Sequence, residues 1–243
     1  MTSLNPPKED AHAALAAHRG QLERTSRTVR VAGILRELII DGSFRPGARL
    51  SEPDICTALD VSRNTVREAF QILIEDRLVS HELNRGVFVR VPSVEDVAEL
   101  YICRRVVESA GVRDFDPATG DLTALVDALE FAEERLAAED WTAVGTADIH
   151  FHRAIAGLNN SSRIDQLMGG VWNELRLVFH VMDDPHRFHS PYLARNHEIY
   201  GALKSGENAL AVELLQKYLD DARIQILAAY PTLSRSAGST VAT

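Results

Sequence analysis

The sequence predicts a mainly α-helical protein in two parts: a small unit of three helices and a β-hairpin, followed by an all-helical bundle. Apolar residues recur at helical spacing through most of the 243-residue chain, and only residues 78 to 91 alternate as strands do. Charge divides the chain at the same place. Residues 19 to 90 hold 12 Lys and Arg against 10 Asp and Glu, whereas residues 91 to 243 hold 13 against 23. A mildly basic part joined to an acidic one indicates two modules with different tasks.

The composition argues against several classes of protein. With 45% apolar residues the chain can form a packed core, and no stretch approaches the roughly 18 consecutive apolar residues of a membrane-spanning helix. Residues 1 to 20 lack the apolar segment of a secretory signal. Cys56 and Cys103 lack metal-type spacing and lie in apolar helical patterns, so we expect buried free thiols in a reducing cytoplasm.

The first unit follows an N-terminal segment, residues 1 to 25, that is predicted to be a flexible tail. Residues 29 to 40 carry apolar side chains at helical spacing, and a short second helix is predicted over residues 51 to 59. After a tight turn, Ser62 is expected to cap a third helix that runs to about residue 76. These helices are close enough in sequence to form a helix-turn-helix.

Two short strands follow the third helix. Residues 78 to 80 form the first strand, Asn84-Arg85-Gly86 forms a turn, and residues 87 to 91 alternate as the second strand. Three helices and a hairpin make a winged helix-turn-helix domain, which we expect over residues 26 to 91.

The third helix carries the side chains that point most clearly to a function. Beginning after Ser62, it presents Arg63, Asn64, Thr65 and Arg67 on its exposed side. Such side chains can reach base edges and phosphates in the major groove of DNA. The alternative is an ordinary surface helix with a solvated polar face.

The remainder of the chain is predicted to be an all-helical bundle over residues 94 to 230, large enough to enclose a pocket. A flexible C-terminal tail is expected over residues 231 to 243. The helical patterns cover residues 94 to 111, 121 to 138, 140 to 158, 162 to 183, 191 to 205 and 207 to 230.

One motif in the bundle has the spacing of a ligand site. Asp148 and His152 are four residues apart, so on a helix they share one face and could hold a divalent metal together. Two ligands are few for a metal site, and a hydrogen-bonded Asp–His pair in a polar patch is the alternative.

Seven segments of the first unit agree in order and spacing with one known DNA-binding domain: Gly42 to Phe44, Pro46-Gly47, Leu50 to Glu52, Val61 to Arg63, Thr65 to Ala69, Leu78-Val79 and Asn84 to Val87. Through these segments the first unit resembles the DNA-binding domain of GntR-family bacterial transcription regulators. The resemblance implies that Arg63 and Arg67 read the operator, with Asn64 and Thr65 in the same row of contacts, and that Gly86 approaches the minor groove. Relatives with long C-terminal bodies usually carry Thr at the position of Asn64, and Asn favours adenine edges, so the operator preference is expected to differ.

Two further arginines stand near the same helices. Arg49 and Arg45 flank the turn before the second helix, and each is a candidate for a phosphate contact. A solvated surface is the alternative for both.

The bundle resembles the FCD effector-binding domain of the FadR-type branch of that family. In such domains an Asp-x-x-x-His pair is often joined by two later His residues, about 44 and 66 residues beyond the first. Alignment of the last two helices places Asn196 and Tyr218 at those positions. The chain therefore departs from the metal-binding pattern at half of the site, and zinc-type affinity should be weak.

Two outcomes are open for this site. One is an incomplete metal site of Asp148, His152 and Asn196, and the other is a metal-free pocket in which polar side chains bind the effector directly. The loss of two imidazoles favours the second. Arg104 is the natural partner for a carboxylate effector, although a structural pair with Glu108 is the alternative. The residues expected to bind the effector are Arg104, Asp148, His152, Arg176, Asn196 and Tyr218.

The resemblance implies a cytoplasmic, ligand-responsive transcriptional regulator, a repressor that binds operator DNA as a homodimer and is released by a small organic acid. Two other functions are kept as alternatives: a metal-dependent helical enzyme that uses Asp148 and His152, and a DNA-binding protein with no response to a ligand. No nucleophile–base set supports the enzyme.

Overall fold

The computed structural model describes residues 19–182 and 185–239, with side chains described for 27–182 and 186–228. The chain is mainly helical, with an N-terminal winged helix-turn-helix domain and a C-terminal helical domain, as predicted. These two parts are called here the winged domain and the helical body. Of the predicted N-terminal tail, residues 1 to 18 lie outside the described residues.

The winged domain contains three helices and three strands. Its first helix begins at Arg19, so residues 19–25 are helical and do not belong to the predicted tail. The elements are α1 (Arg19–Ile40), β1 (Arg49–Leu50), α2 (Glu52–Leu59), α3 (Arg63–Glu75), β2 (Val79–Glu82) and β3 (Gly86–Val89).

The three strands form an antiparallel sheet in the order β1-β3-β2. The two-residue strand β1 was not predicted, because nothing in so short a segment distinguishes it from a loop until β3 pairs with it. Arg49 lies opposite Phe88, which brings the turn before α2 against the hairpin β2–β3, called here the wing.

The helical body contains seven helices in the described part of the chain. The short α8 falls between two predicted breaks and was missed, and α10 continues past residue 230, where the tail was expected to begin. The elements are α4 (Val94–Arg113), α5 (Thr123–Ala137), α6 (Trp141–Gly157), α7 (Ser162–Val181), α8 (Pro185–His189), α9 (Tyr192–Lys204) and α10 (Asn208–Ser239).

Local capping explains where several helices begin. The Ser62 hydroxyl accepts a hydrogen bond from the Thr65 amide, which satisfies one of the free N–H groups at the start of α3. At α4 the Ser93 side chain and the Asp96 side chain each bond the other's backbone N–H, forming a capping box. Ser51 stands at the start of α2 as predicted, but its side chain makes no capping bond.

The two domains meet at α7 of the body. Leu177 is fully buried and belongs to the apolar core of the winged domain, together with residues of α1 and α3. Glu174, one turn earlier, accepts a hydrogen bond from Arg90 at 2.7 Å and lies 3.5 Å from Arg77. One helix of the body therefore supplies both an apolar and an ionic contact to the winged domain.

The cysteine prediction was wrong at one of its two positions. Cys103 is exposed and Cys56 is only partly buried, and neither forms a disulfide. Ile102, next to Cys103 on α4, is exposed as well, so the apolar pattern there does not mark a face covered by the rest of the chain. Over the described residues, none of the helices has the length and apolar content needed to cross a membrane.

Candidate functional site

The predicted DNA-reading residues lie together at the start of α3. Arg63, Asn64 and Arg67 are exposed, whereas Val66 and the other apolar residues on the opposite side of the helix are buried in the winged core. Thr65 is half-buried, and its hydroxyl lies 2.8 Å from that of Ser62. The helix thus presents a polar edge on a rigid apolar base, as groove insertion requires.

Two glutamates, which the sequence analysis missed, hold these side chains. Arg67 Nε donates to Glu52 at the start of α2 at 2.8 Å, and Asn64 Nδ2 donates to Glu68 at 2.7 Å. Thr28 of α1 donates to the other oxygen of Glu68. Each glutamate therefore occupies polar groups of a side chain that was predicted to read DNA.

A groove of about 520 Å³ separates α3 from the wing. It brings Arg49, Arg67 and Gly86 together, three of the predicted DNA-binding residues. Gly86 has φ +113, and a Cβ there would lie 3.4 Å from Arg49 Nε, so the glycine lets the Arg49 side chain pass close to the wing. Arg45 lies elsewhere, at the boundary with the helical body.

In the body, Asp148 accepts hydrogen bonds from two other helices. Its Oδ1 accepts from Asn196 Nδ2 of α9 at 2.9 Å and from the Tyr218 hydroxyl of α10 at 2.7 Å. Burial alone would raise the pKa of Asp148, but nearby His152 and His189 and the two hydrogen bonds lower it, so the carboxylate is ionised. Tyr218 is correspondingly held neutral, because burial and Asp148 raise its pKa well above the usual value.

His152 connects Asp148 to a second buried pair. Its Nε2 lies 3.8 Å from Asp148 Oδ1, and its Nδ1 lies 2.6 Å from Glu108 Oε2. Glu108 also accepts from Arg104 Nε at 2.9 Å. The sequence paired Arg104 with Glu108 as the alternative to effector binding, but it did not reveal that Glu108 bridges Arg104 to His152. The six residues are called here the central cluster: Arg104, Glu108, Asp148, His152, Asn196 and Tyr218.

Several polar atoms of the central cluster are buried without a hydrogen-bond partner. They are both terminal nitrogens of Arg104, Nε2 of His152 and Oδ1 of Asn196. The Arg104 guanidinium also makes cation–π contacts with two aromatic rings, 4.9 Å from the centre of Tyr101 and 5.8 Å from that of Trp172. Unsatisfied buried polar groups are costly, so a ligand that bonded these atoms would be stabilised by them.

The central cluster does not fit a metal ion well. Asp148 Oδ1 already accepts two hydrogen bonds, Tyr218 is a neutral phenol, and the Arg104 cation lies within the same cluster. Among the described residues, no group of three or more His, Cys, Asp or Glu side chains has metal-binding geometry. His197, next to Asn196, lies on another face of α9, where its Nε2 is 3.0 Å from Glu133 Oε1 of α5.

One predicted site residue lies elsewhere, and one buried histidine was not among the predicted site residues. Arg176, expected in the effector pocket, donates instead to the backbone carbonyl of Ile40 at the end of α1, at the domain boundary. His189 is buried, and its ring packs against Gly145 of α6. Helical spacing places Arg176 on a face of α7 but does not tell which neighbour covers that face.

The chain is similar to known regulators along most of its length. Residues 27–89 match the family model of bacterial regulatory proteins, gntR family, and residues 99–221 match the FCD domain. The gluconate operon transcriptional repressor of Bacillus licheniformis is 30% identical over 82% of this chain and 85% of its own. The galactonate operon transcriptional repressor of Escherichia coli is 26% identical over 63% and 76%.

A solved structure shows the same fold. A protein of Rhodococcus sp. RHA1, described as a GntR transcriptional regulator, is 76% identical and has a TM-score of 0.83, with 84% of this chain and 99% of that chain covered. The relatives carry the names of transcriptional regulators. These names favour neither of the two alternatives, a metal-dependent enzyme or a DNA-binding protein with no response to a ligand. The chain belongs to the GntR family of bacterial regulatory proteins, as a ligand-responsive DNA-binding transcriptional regulator with a C-terminal FCD domain.

Proposed function

We propose that this regulator represses transcription from an operator that it binds as a homodimer, and that a small hydroxylated carboxylic acid in the central cluster releases it. The observation that carries the proposal is the set of buried polar atoms without partners at Arg104, His152 and Asn196. Binding to operator DNA would take place in the cytoplasm.

The unsatisfied atoms define the chemistry of the ligand. The two terminal nitrogens of Arg104 are donors that suit the two oxygens of a carboxylate. Because Glu108 is close to His152 Nδ1, that nitrogen carries the proton in the neutral ring, which leaves Nε2 as an acceptor. Asn196 Oδ1 is also an acceptor. Two acceptors near a guanidinium fit a ligand that has hydroxyl groups beside its carboxylate.

Charge fixes the orientation of such a ligand. Arg104 and Glu108 compensate each other, and the ionised Asp148 would repel a second carboxylate. The carboxylate of the effector therefore belongs at Arg104, and its hydroxyl groups belong toward Asn196 and His152. The names of the relatives, repressors of gluconate and galactonate operons, agree with a sugar acid.

The DNA contacts follow from the exposed edge of α3. Arg63 and Arg67 are proposed to read base edges or phosphates, and Asn64 to set the preference for adenine. Ser62 and Thr65 are proposed to hold the start of α3 in place. Arg49 and Gly86 are proposed to bring the wing close to the DNA backbone.

An exposed apolar stripe on α4 supports the homodimer. Ile102 and Val106 are one helical turn apart and are 60% and 66% exposed. Large apolar side chains at this spacing would be covered by a second copy of the helix about a two-fold axis, which would also present two copies of α3 to a palindromic operator.

Operator binding is tested by fluorescence anisotropy on a fragment selected from genomic DNA. Arg63→Ala and Arg67→Ala should each weaken binding by about 1–3 kcal/mol, because each removes a contact to DNA. Arg113→Ala is the matched control, since Arg113 is exposed at the far end of α4. Wild-type affinity in both α3 variants would refute the interface.

Effector binding is tested with three compounds that separate the two chemical requirements. Gluconate has the carboxylate and the hydroxyls, sorbitol has only hydroxyls, and hexanoate has only the carboxylate. We expect gluconate alone to raise the thermal midpoint and to release DNA, and Asn196→Leu to abolish both effects without weakening DNA binding. An equal response to hexanoate would rule out the hydroxyl requirement.

A further inference from the structure

A second cavity, of about 420 Å³, lies between the winged domain and the helical body. It is separate from the central cluster, since neither Arg104 nor Asn196 lines it. Its volume is within the range of small-molecule sites. The residues that line it include Arg45 and Asp41 of the winged domain and Arg176, His180 and His189 of the body.

Arg176 is a buried cation, and within the described part of the chain no acidic side chain forms an ion pair with it. It is only 7% exposed, its Nε donates to the Ile40 carbonyl at 2.9 Å, and its Nη1 lies 3.5 Å from the Thr142 carbonyl. Arg104, the other deeply buried arginine of the described chain, has Glu108 as its counter-charge. Burial lowers the pKa of Arg176, and Asp140 and Asp41 oppose this only from a distance.

Other cationic and polar groups converge on the same space. Arg45 is exposed at the mouth, His180 donates from Nε2 to the Ile40 carbonyl, and His189 is 5% exposed with an Nδ1 that has no hydrogen-bond partner. Asp41 is the one acidic side chain among the lining residues that the structure describes, and its carboxylate already accepts from the Ser43 amide at 2.7 Å.

We infer that this cavity, called here the interface cavity, binds a small oxyanion, a phosphate or carboxylate group held between Arg176 of the body and Arg45 of the winged domain. An anion there would supply a counter-charge in direct contact with Arg176, in addition to the more distant Asp140 and Asp41. Because the two arginines belong to different domains, the bound anion would also hold the domains in this arrangement.

The interface cavity also borders the central cluster. His189 lines the cavity, and its ring lies against Gly145, one helical turn before Asp148 on α6. It interacts electrostatically with both Asp148 and Arg176. A ligand in the interface cavity would therefore change the electrostatic environment of the central cluster through the His189 ring, and a ligand in the central cluster would do the same to the cavity.

The test is calorimetric titration of the full chain with sodium phosphate, and separately with sodium malonate, at constant ionic strength. We expect saturable binding of at least one anion to wild type, weakened at least about tenfold in Arg45→Gln and in Arg176→Gln. The tighter of the two anions identifies the phosphoryl or carboxylate class. Arg113→Gln, which removes an exposed arginine at the far end of α4, should bind as wild type. Arg67→Gln reports whether an anion binds in the groove beside α3 instead.

Arg45→Gln is the decisive variant, because Arg45 is exposed and its loss leaves the packing at Ile40 intact. Wild-type affinity in that variant, loss of binding only in Arg67→Gln, or no saturation by either anion below about 10 mM would each overturn the inference. None of these results depends on the sugar-acid effector, since neither probe is a hydroxy acid.

Discussion

Leu177→Ala tests whether the two domains share one apolar core. Leu177 is carried by α7 of the body but is fully buried among winged-domain residues. The substitution removes three buried carbon groups, worth about 2.4 kcal/mol in transfer free energy alone. The residual cavity adds to this, so the expected loss of stability is about 2–5 kcal/mol.

The loss should appear in the winged domain, and hydrogen exchange can locate it. We expect amides of α3 to lose protection by about thirtyfold or more in Leu177→Ala. Leu175→Ala is the matched control, because Leu175 is equally buried but belongs to the core of the body. It should accelerate exchange in the body instead.

Leu177→Met provides a second control, since it conserves volume and should cost less than about 1.5 kcal/mol. If Leu177→Ala left exchange in α3 unchanged and affected only the body, as Leu175→Ala does, the shared core would be refuted.

Three other predictions rest on single contacts. Glu52→Gln should tighten DNA binding by roughly two- to tenfold, because it frees Arg67 and removes a negative charge beside the DNA phosphates. Fluorescence anisotropy at fixed salt measures this change. Weaker binding would contradict the prediction and would show that Glu52 orients Arg67 for DNA contact. Burial lowers the pKa of His189 to about 4, so the stability that its neutral ring contributes, about 3 kcal/mol, is complete above pH 6.5 and is lost as the pH falls toward 4. The unfolding free energy of His189→Phe should therefore decline less over that range, and parallel curves would contradict this. Gly145→Ala should destabilise the chain by about 1–3 kcal/mol, since its Cβ would lie 2.4 Å from His189 Nε2, whereas Gly201→Ala, with open space around it, should be neutral or stabilising in thermal denaturation.

The sequence predicted what local chemistry determines. The start of α3 at Ser62 depends on a side chain within three residues of the cap, and it was expected. The pairing of β1 with β3 was not, because a two-residue strand has no pattern of its own. The start of α1 at Arg19 was also missed, since its first two turns lack a regular apolar face.

The residues of the candidate site could be predicted from the sequence, but the contacts between them could not. Spacing placed Asp148 and His152 on one face, and the resemblance placed Asn196 and Tyr218 near them. The role of Glu108 as a bridge depends on how α4 packs against α6, which sequence spacing does not encode. The same limit explains Arg176, which a neighbouring domain covers.

The segment that connects the wing to the helical body is short and rigidly held. Arg90, the residue after β3, donates to Asp96 of α4 at 2.9 Å and to Glu174 of α7 at 2.7 Å. Only residues 91 to 93 separate it from the first turn of α4. A rotation of either helix would turn the wing with it, because no flexible linker is present to absorb the motion. The length of this junction should therefore affect regulation. An insertion there would stop ligand binding in the helical body from changing the position of the wing. The winged domain would still bind DNA, and the helical body would still bind its ligand.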